Sequence, residues 1–145
     1  MQYINIHTHQ LPQPDEQAIQ SLYKNFEQVQ QKGYYSIGLH PWYIAADWEK
    51  EFEQLKHYAS HPHVKAVGEC GLDKVCSTDF TLQQQVFELQ IQLANAVKKP
   101  LILHCVKAYE EVLQQLKQAT VPVVFHGFNK SKELALQLIK AGYYL

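Results

Sequence analysis

An excess of charge of either sign is the first thing this sequence lacks. Its formal net charge is −1, so no global field draws the chain to nucleic acid, and any such contact has to be local. Cysteine is scarce. Cys70, Cys76 and Cys105 are odd in number and show no CxxC spacing. That argues against a disulfide framework and a cysteine-rich zinc site, and a reducing cytoplasm is the expected location. No apolar run is long enough to cross a membrane. Met1-Gln2-Tyr3-Ile4 enters a strand at once, without the pattern of a signal peptide. Linkers, low-complexity tracts and internal repeats are also missing, so residues 1–145 are expected to form one domain with a real core.

What is present is an alternation of short apolar runs with helical patterns. Strands are expected at Tyr3–His7 (bounded by Leu11-Pro12-Gln13-Pro14), Ala18–Tyr23, Tyr34–Leu39, Val64–Gly68, Leu101–Leu103 and Val121–Phe125, and Tyr143-Tyr144-Leu145 resembles the start of a seventh. Helical spacing links Trp48, Phe52, Leu55 and Ala59 after a candidate N-cap at Asp47. The same spacing joins Leu82, Val86, Leu89, Leu93 and Val97, with Thr81 and Gln84 as a capping box. Val112, Leu113 and Leu116 mark a third helix; Leu134, Leu138 and Ile139 mark a fourth, closed by Gly142 as its C′ residue. Strands alternating with helices imply a parallel α/β sheet. The expected fold is a TIM-type (β/α)8 barrel, incomplete here, with strands one to six and the start of seven. A closed barrel takes roughly 250 residues, or about 200 when compact.

The strand ends carry the chemistry. The runs finish in His7-Thr8-His9, His40, Glu69, His104 and His126. In a βα-barrel those ends share one face, where active sites are built. His7 and His9 are two apart on extended chain, so their side chains point the same way. An HxH pair alone fits a hydrogen-bonded surface pair as well as a metal site. Glu69 sits in Gly68-Glu69-Cys70-Gly71-Leu72-Asp73; a carboxylate at the end of a buried strand is costly unless paired or metal-bound. A carboxylate placed between two cations can bridge them. His104 and His126 are each the first polar residue after an apolar strand, and their shared level with the others favours metal. His57, His61 and His63 fall at the opposite end and read as surface residues.

Around this set, His40 is a candidate substrate-phosphate contact and Asp73 a residue that orients a ligand or water. Trp42, Tyr43 and Trp48 are candidates for an aromatic rim on which bases stack, or for loop packing. Lys74, Lys107 and Lys130 lie just past strand ends and are candidates to hold phosphate oxygens, or simply solvated. Cys70 and Cys105 read as small core residues.

The segments INIHTH (4–9), GLHPWY (38–43), VGECGLD (67–73), PLILHC (100–105) and VVFHGF (123–128), in this order, resemble the TatD family of metal-dependent deoxyribonucleases, in the amidohydrolase superfamily of TIM barrels. The resemblance spans nearly the whole chain and has the look of a compact branch lacking the C-terminal part. It implies hydrolysis of phosphodiester bonds in DNA by a metal-activated water, with two divalent ions (Zn, Mg or Mn). By position, His7 and His9 would hold the first ion, Glu69 would bridge both, and His104 and His126 would hold the second. From the residues themselves, Glu69 and Asp73 are the expected catalytic carboxylates, with His40 and Lys107 expected on the substrate. Two departures stand out. The family's metal-binding Asp after strand eight has no match here, and the Arg often found two places after the strand-five His is Val106, followed by Lys107. The expected partner is DNA or another phosphodiester, with no membrane and no obligate protein partner. The alternatives are a related amidohydrolase or phosphoesterase acting on a small substrate, and a catalytically silent metal-binding fragment.

Overall fold

The structure, a computed structural model, describes residues 3–13 and 16–145. The strand entry at Met1-Gln2 and the boundary at Pro14 lie outside the described residues. Among the described residues, one sheet has strands β1 (Tyr3–Thr8), β2 (Glu16–Leu22), β3 (Tyr34–Ile37), β4 (Val64–Asp73), β5 (Leu101–Val106) and β6 (Val123–Phe125) in sequential order. Every neighbouring pair is parallel. Helices α1 (Trp48–Ala59), α2 (Phe80–Val97), α3 (Tyr109–Leu116) and α4 (Lys132–Lys140) alternate with the later strands. The result is half of a TIM-type barrel. Val124 and Tyr144 then begin the expected seventh pairing: Phe125 N–H donates to the Tyr144 carbonyl at 2.8 Å, and Tyr144 N–H to the Val123 carbonyl at 2.9 Å. No helix among the described residues is long and apolar enough to cross a membrane.

Two apolar clusters hold the sheet. Val67, Leu72, Leu101, Leu103 and Phe125 pack against Phe87 and Ile91 of α2 and Val112 and Leu116 of α3. Ile37, Val64, Phe52, Leu55 and Trp48 form the other, with Phe26 and Val29 from a 3₁₀ turn at Phe26–Gln30. That short turn takes the place of a helix between β2 and β3. Trp48 therefore belongs to the core and not to an aromatic rim; only 8% of it is exposed. On β1 the alternation reverses the usual order: His7 is turned inward, while Ile4 and Ile6 are exposed.

Several boundaries differ from expectation for local reasons. The run expected to stop at Gly68 continues through Asp73, and β5 continues through His104 to Val106. The glycines of β4 are points of close approach. A Cβ on Gly68 would lie 2.3 Å from the Ile102 carbonyl oxygen, and one on Gly71 only 2.1 Å from that of His104. Their φ values of +146° and +134° also favour glycine. Because β5 can come this close, the two strands stay paired past the register shift between Gly68 and Cys70. Glu69 is therefore inside a strand and Asp73 is the residue that ends it. β2 starts earlier than expected, while β3 and β6 are shorter.

The caps also move. α2 begins with Asp79, whose carboxylate accepts the Leu82 N–H at 2.9 Å, so Thr81 lies within the helix and makes no capping box. Asp47 precedes α1 without a side-chain capping bond. Gly142 does close α4, at φ +89°. Gly142 N–H bonds the Ile139 carbonyl and Tyr143 N–H the Leu138 carbonyl, which is the Schellman pattern.

Candidate metal centre

The strands converge on Glu69. Its side chain is buried, and its two oxygens face different histidines. Oε2 lies 3.2 Å from His7 Nε2 and 3.7 Å from His9 Nε2. Oε1 lies 3.3 Å from His104 Nδ1 and 3.8 Å from His40 Nε2. His126, in the turn after β6, places its ring 3.9 Å from that of His7, centroid to centroid. Five histidines remote in sequence thus surround one carboxylate. The two-residue spacing on β1 works as anticipated: the Nε2 atoms of His7 and His9 are 3.2 Å apart.

These distances fit a cation. Four ligands around zinc at roughly 2.0–2.1 Å stand about 3.3 Å from one another. The three atoms His7 Nε2, His9 Nε2 and Glu69 Oε2 are separated by 3.2 to 3.7 Å. Ligand atoms from His7, Glu69 and His126 all lie within 4.8 Å of each other, as do those of His40, Glu69 and His104. Among the described residues, His7 Nδ1 is buried without a hydrogen-bond partner, and its Nε2 is the atom turned to Glu69 and His9. The grouping differs in one respect from expectation: His126 stands with His7, and His104 stands with His40.

His40 and His104 are held in opposite ways. His40 Nδ1 accepts the backbone N–H of Trp42 at 3.1 Å, so in the neutral ring Nε2 carries the proton and aims N–H at the site. Burial lowers its pKa to about 4, despite the opposing pull of Glu69. A neutral ring with its lone pair already engaged is a hydrogen-bond donor to a ligand and a poor metal ligand. His104 Nε2 instead meets Asp73 Oδ2 at 2.8 Å. With Nε2–H donating there, Nδ1 is the atom turned to Glu69, and once its proton is lost its lone pair would be free for a metal, as in a carboxylate–histidine–metal triad. Burial works to lower the pKa of His104, but its hydrogen bonds to Glu69 and Asp73 raise it overall. In the same way burial opposes ionisation of Glu69, yet hydrogen bonds from His104 and His7 hold its pKa well below the usual carboxylate range. His126 is shifted down by burial and by the proximity of His7.

Asp73 does not open onto the cleft. It is 2% exposed, and both oxygens are occupied by protein donors. Trp42 Nε1 and His104 Nε2 meet Oδ2, while the amides of Val75 and Cys76 meet Oδ1. Its backbone is gripped as well. Gln83 of α2 accepts the Asp73 N–H at 2.8 Å and donates to its carbonyl at 3.0 Å. Two turns further along, Gln90 does the same for Leu39, at 2.7 and 3.1 Å, just before His40. These buried amides set the ends of β3 and β4. They were not anticipated, because a run of glutamines reads as a polar face; the available signal was their seven-residue spacing within the apolar stripe.

The cleft over the site is about 770 Å³, the size of pockets that take small organic ligands. Tyr23, Trp42 and Tyr43 line one side, and Gly127, Asn129 and Lys130 lie among its other residues. Tyr23 and Tyr43 are stacked at 4.2 Å; Tyr23 was not anticipated as a site residue. Of the three candidate phosphate lysines, Lys130 lines the cleft, Lys107 is exposed just past β5, and Lys74 is ion-paired with Glu111. The sequence contains no arginine, so positive charge for a phosphate has to come from lysine or a metal. Burial pushes the thiols of Cys70 and Cys105 up, the latter to about 12, so neither is a nucleophile at neutral pH. At the far end of the sheet, His63 Nδ1 is hydrogen-bonded to the Val29 carbonyl and the His61 carbonyl accepts from Lys99.

Comparison with known proteins follows the same lines. The family model described as TatD related DNase matches residues 3–145. The human 3'-5' RNA nuclease TATDN2 is 38% identical over 110 residues, covering 72% of this chain and 14% of that protein. The 3'-5' ssDNA/RNA exonuclease TatD of Cronobacter turicensis is 34% identical over 117 residues, covering 76% of this chain and 43% of the relative. The crystal structure of the TatD homologue YjjV from Escherichia coli superposes with a TM-score of 0.82 at 26% identity, covering 97% of this chain and 66% of that one. The chain thus spans less than half the length of these two curated relatives.

Proposed function

This chain belongs to the family of TatD-related DNases, and on that premise we propose that it serves a metal-dependent hydrolase that cleaves phosphodiester bonds in nucleic acid. One observation supports this reading above the others: the two oxygens of Glu69 face separate histidine clusters, Oε2 toward His7 and His9 and Oε1 toward His104. Two divalent cations, Zn²⁺, Mg²⁺ or Mn²⁺, would be held by His7, His9, Glu69, His104 and His126, and when bound would supply Lewis-acid stabilisation of the phosphate and a water of lowered pKa.

The chain's own residues supply the remaining roles. Asp73 orients His104 by accepting a hydrogen bond from its Nε2–H. His40 stays neutral and offers Nε2–H to a non-bridging phosphate oxygen. Lys130, on the cleft wall, contributes positive charge near the same group; Lys107, exposed just past β5, is placed to meet a neighbouring phosphate of a longer strand. Tyr23, Tyr43 and Trp42 present faces on which a base can stack, a contact that tolerates any sequence and suits single strands. The near-neutral charge of the chain fits recognition by such local contacts and not by a basic surface.

The test is a degradation assay with end-labelled single-stranded DNA and RNA, run with the metal-stripped protein and after adding back Mg²⁺, Mn²⁺ or Zn²⁺. Metal-restored release of nucleotides is expected. Turnover of small phosphoesters without any cleavage of either polymer would overturn the nuclease reading in favour of a small-substrate phosphoesterase. Activity that survives thorough chelation would overturn the metal.

A further inference from the structure

Trp42 has two features that do not ordinarily go together. It is 53% exposed, on the wall of the cleft. Yet its indole N–H does not turn to water. It donates to Asp73 Oδ2 at 2.6 Å, the same oxygen that meets His104 Nε2 at 2.8 Å. The indole ring also packs edge-on to the His104 ring, at 5.5 Å and 78°. Its backbone is fixed in turn, because Trp42 N–H is bound by His40 Nδ1.

We propose that Trp42 is a positioning residue for His104, acting through the carboxylate of Asp73. The inference rests on the reading of His104 as a metal ligand and extends it outward by one residue. Asp73 receives four N–H groups: two backbone amides on Oδ1, and Trp42 with His104 on Oδ2. Four donors leave the carboxylate no role except acceptor. Trp42 and the two amides, certain donors by themselves, keep it ionised, so His104 presents Nε2–H to it and Nδ1 is the atom turned to Glu69. Of the two groups that fix Oδ2, only Trp42 is not itself a candidate ligand. Without its N–H, Oδ2 is held by His104 alone, and the carboxylate can rotate about its Oδ1 bonds and take the imidazole with it.

The experiment is calorimetric titration of the metal-stripped full chain with Zn²⁺ and with Mn²⁺. Trp42→Phe keeps the aromatic surface and removes only the donor. Residues that orient a ligand directly change metal affinity by about tenfold to a hundredfold. Asp73→Asn is expected in that range, and Trp42→Phe, one hydrogen bond further out, at about threefold to tenfold. If the tryptophan acts through the aspartate, the double variant binds no more weakly than Asp73→Asn alone. A residue that merely packs would lower the urea midpoint and leave affinity unchanged; Trp42→Phe is expected to lower affinity. The proposal falls if Trp42→Phe binds metal as tightly as the wild type, or if the two losses multiply in the double variant. Should Asp73→Asn not fold, the first of these outcomes still decides. A wild-type chain that binds neither ion would remove the metal reading as well, whereas wild-type binding with no effect of Trp42→Phe overturns this inference alone.

Discussion

Gln83→Leu is expected to destabilise the chain by about 2.5 kcal/mol, the difference between the central values of the opposing terms, although it replaces a buried polar residue with an apolar one of similar size. Gln83 is 1% exposed. Its Oε1 accepts the Asp73 N–H, and its Nε2 donates to the carbonyls of Asp73 and Thr78 at 3.0 and 2.9 Å. Thr78 is half-buried, so water can replace that bond. Asp73 is not: its N–H would lose its partner, and its carbonyl would keep only the Cys76 thiol at 3.5 Å, a weak donor. Leaving a buried donor or acceptor unpaired costs about 1–3 kcal/mol each, so the pair costs about 2–6 kcal/mol. The leucine recovers about 1–2 kcal/mol by burying apolar area. The net is a large fraction of the roughly 5–15 kcal/mol that holds a domain together. Urea unfolding at neutral pH measures it, with Gln85→Leu as the control, because Gln85 is an exposed neighbour on the same helix. A Gln83→Leu midpoint within experimental error of the wild type would refute the claim that this amide holds the end of β4.

Glu69→Ala and His126→Ala are each expected to abolish most hydrolysis while far-UV circular dichroism stays native; full activity in either would refute its role. Gly71→Ala should cost about 3 kcal/mol or more in urea unfolding, combining strain at φ +134° with a Cβ 2.1 Å from the His104 carbonyl oxygen; a neutral result would mean that β4 and β5 do not approach so closely. The pKa of His40 falls from 6.5 to about 4 on folding. The unfolded chain therefore binds that proton first, so the stability tied to neutral His40 is complete above pH 6.5 and declines as pH falls toward 4. The loss is on the order of 3 kcal/mol. Because the raised pKa of His104 acts in the opposite sense, the metal-stripped wild type is compared with His40→Asn at pH 7 and pH 5, and the wild type should lose more stability; equal slopes would refute the burial of a neutral ring.

How much of this was legible in the sequence depends on the range of the interaction concerned. Strand-ending histidines are a local signal, since a polar residue after an apolar run marks an end of the sheet. That was enough to assemble His7, His9, Glu69, His104 and His126 at one face, and the HxH spacing gave the common direction of two of them. The parallel alternation followed from periodicity, and the Schellman end of α4 from Gly142. Lengths of strands were less legible. Gly68 and Gly71 carry no record of whether the chain turns or whether a neighbouring backbone comes near, because both uses require the missing Cβ. Capping was ambiguous for a similar reason: Asp79 and Thr81 are both competent N-caps, and the observed start at Phe80 is settled by where α2 packs.

The long-range polar contacts were invisible because each joins residues that look ordinary in their own segments. Gln90 and Leu39 are 51 positions apart, and Trp42 and Asp73 are 31 apart. Yet these contacts decide what the histidines can do. His40 and His104 are chemically identical side chains facing the same carboxylate oxygen. One receives a backbone N–H on Nδ1 and is left as a donor; the other gives Nε2–H to Asp73 and turns Nδ1 to Glu69, where a metal would take its lone pair. The consequence is a prediction about ligand identity. Replacing His104 by Ala should lower divalent-metal affinity by more than about a hundredfold, exceeding what loss of an orienting residue does. Replacing His40 by Ala should leave metal affinity within about threefold and instead raise the KM for a phosphodiester, because a donor to a phosphate oxygen is lost. Calorimetry on the metal-stripped variants separates the two. A His40→Ala chain that loses metal as severely as His104→Ala would show that the Trp42 amide does not hold the His40 tautomer, and the division of labour around Glu69 would have to be redrawn.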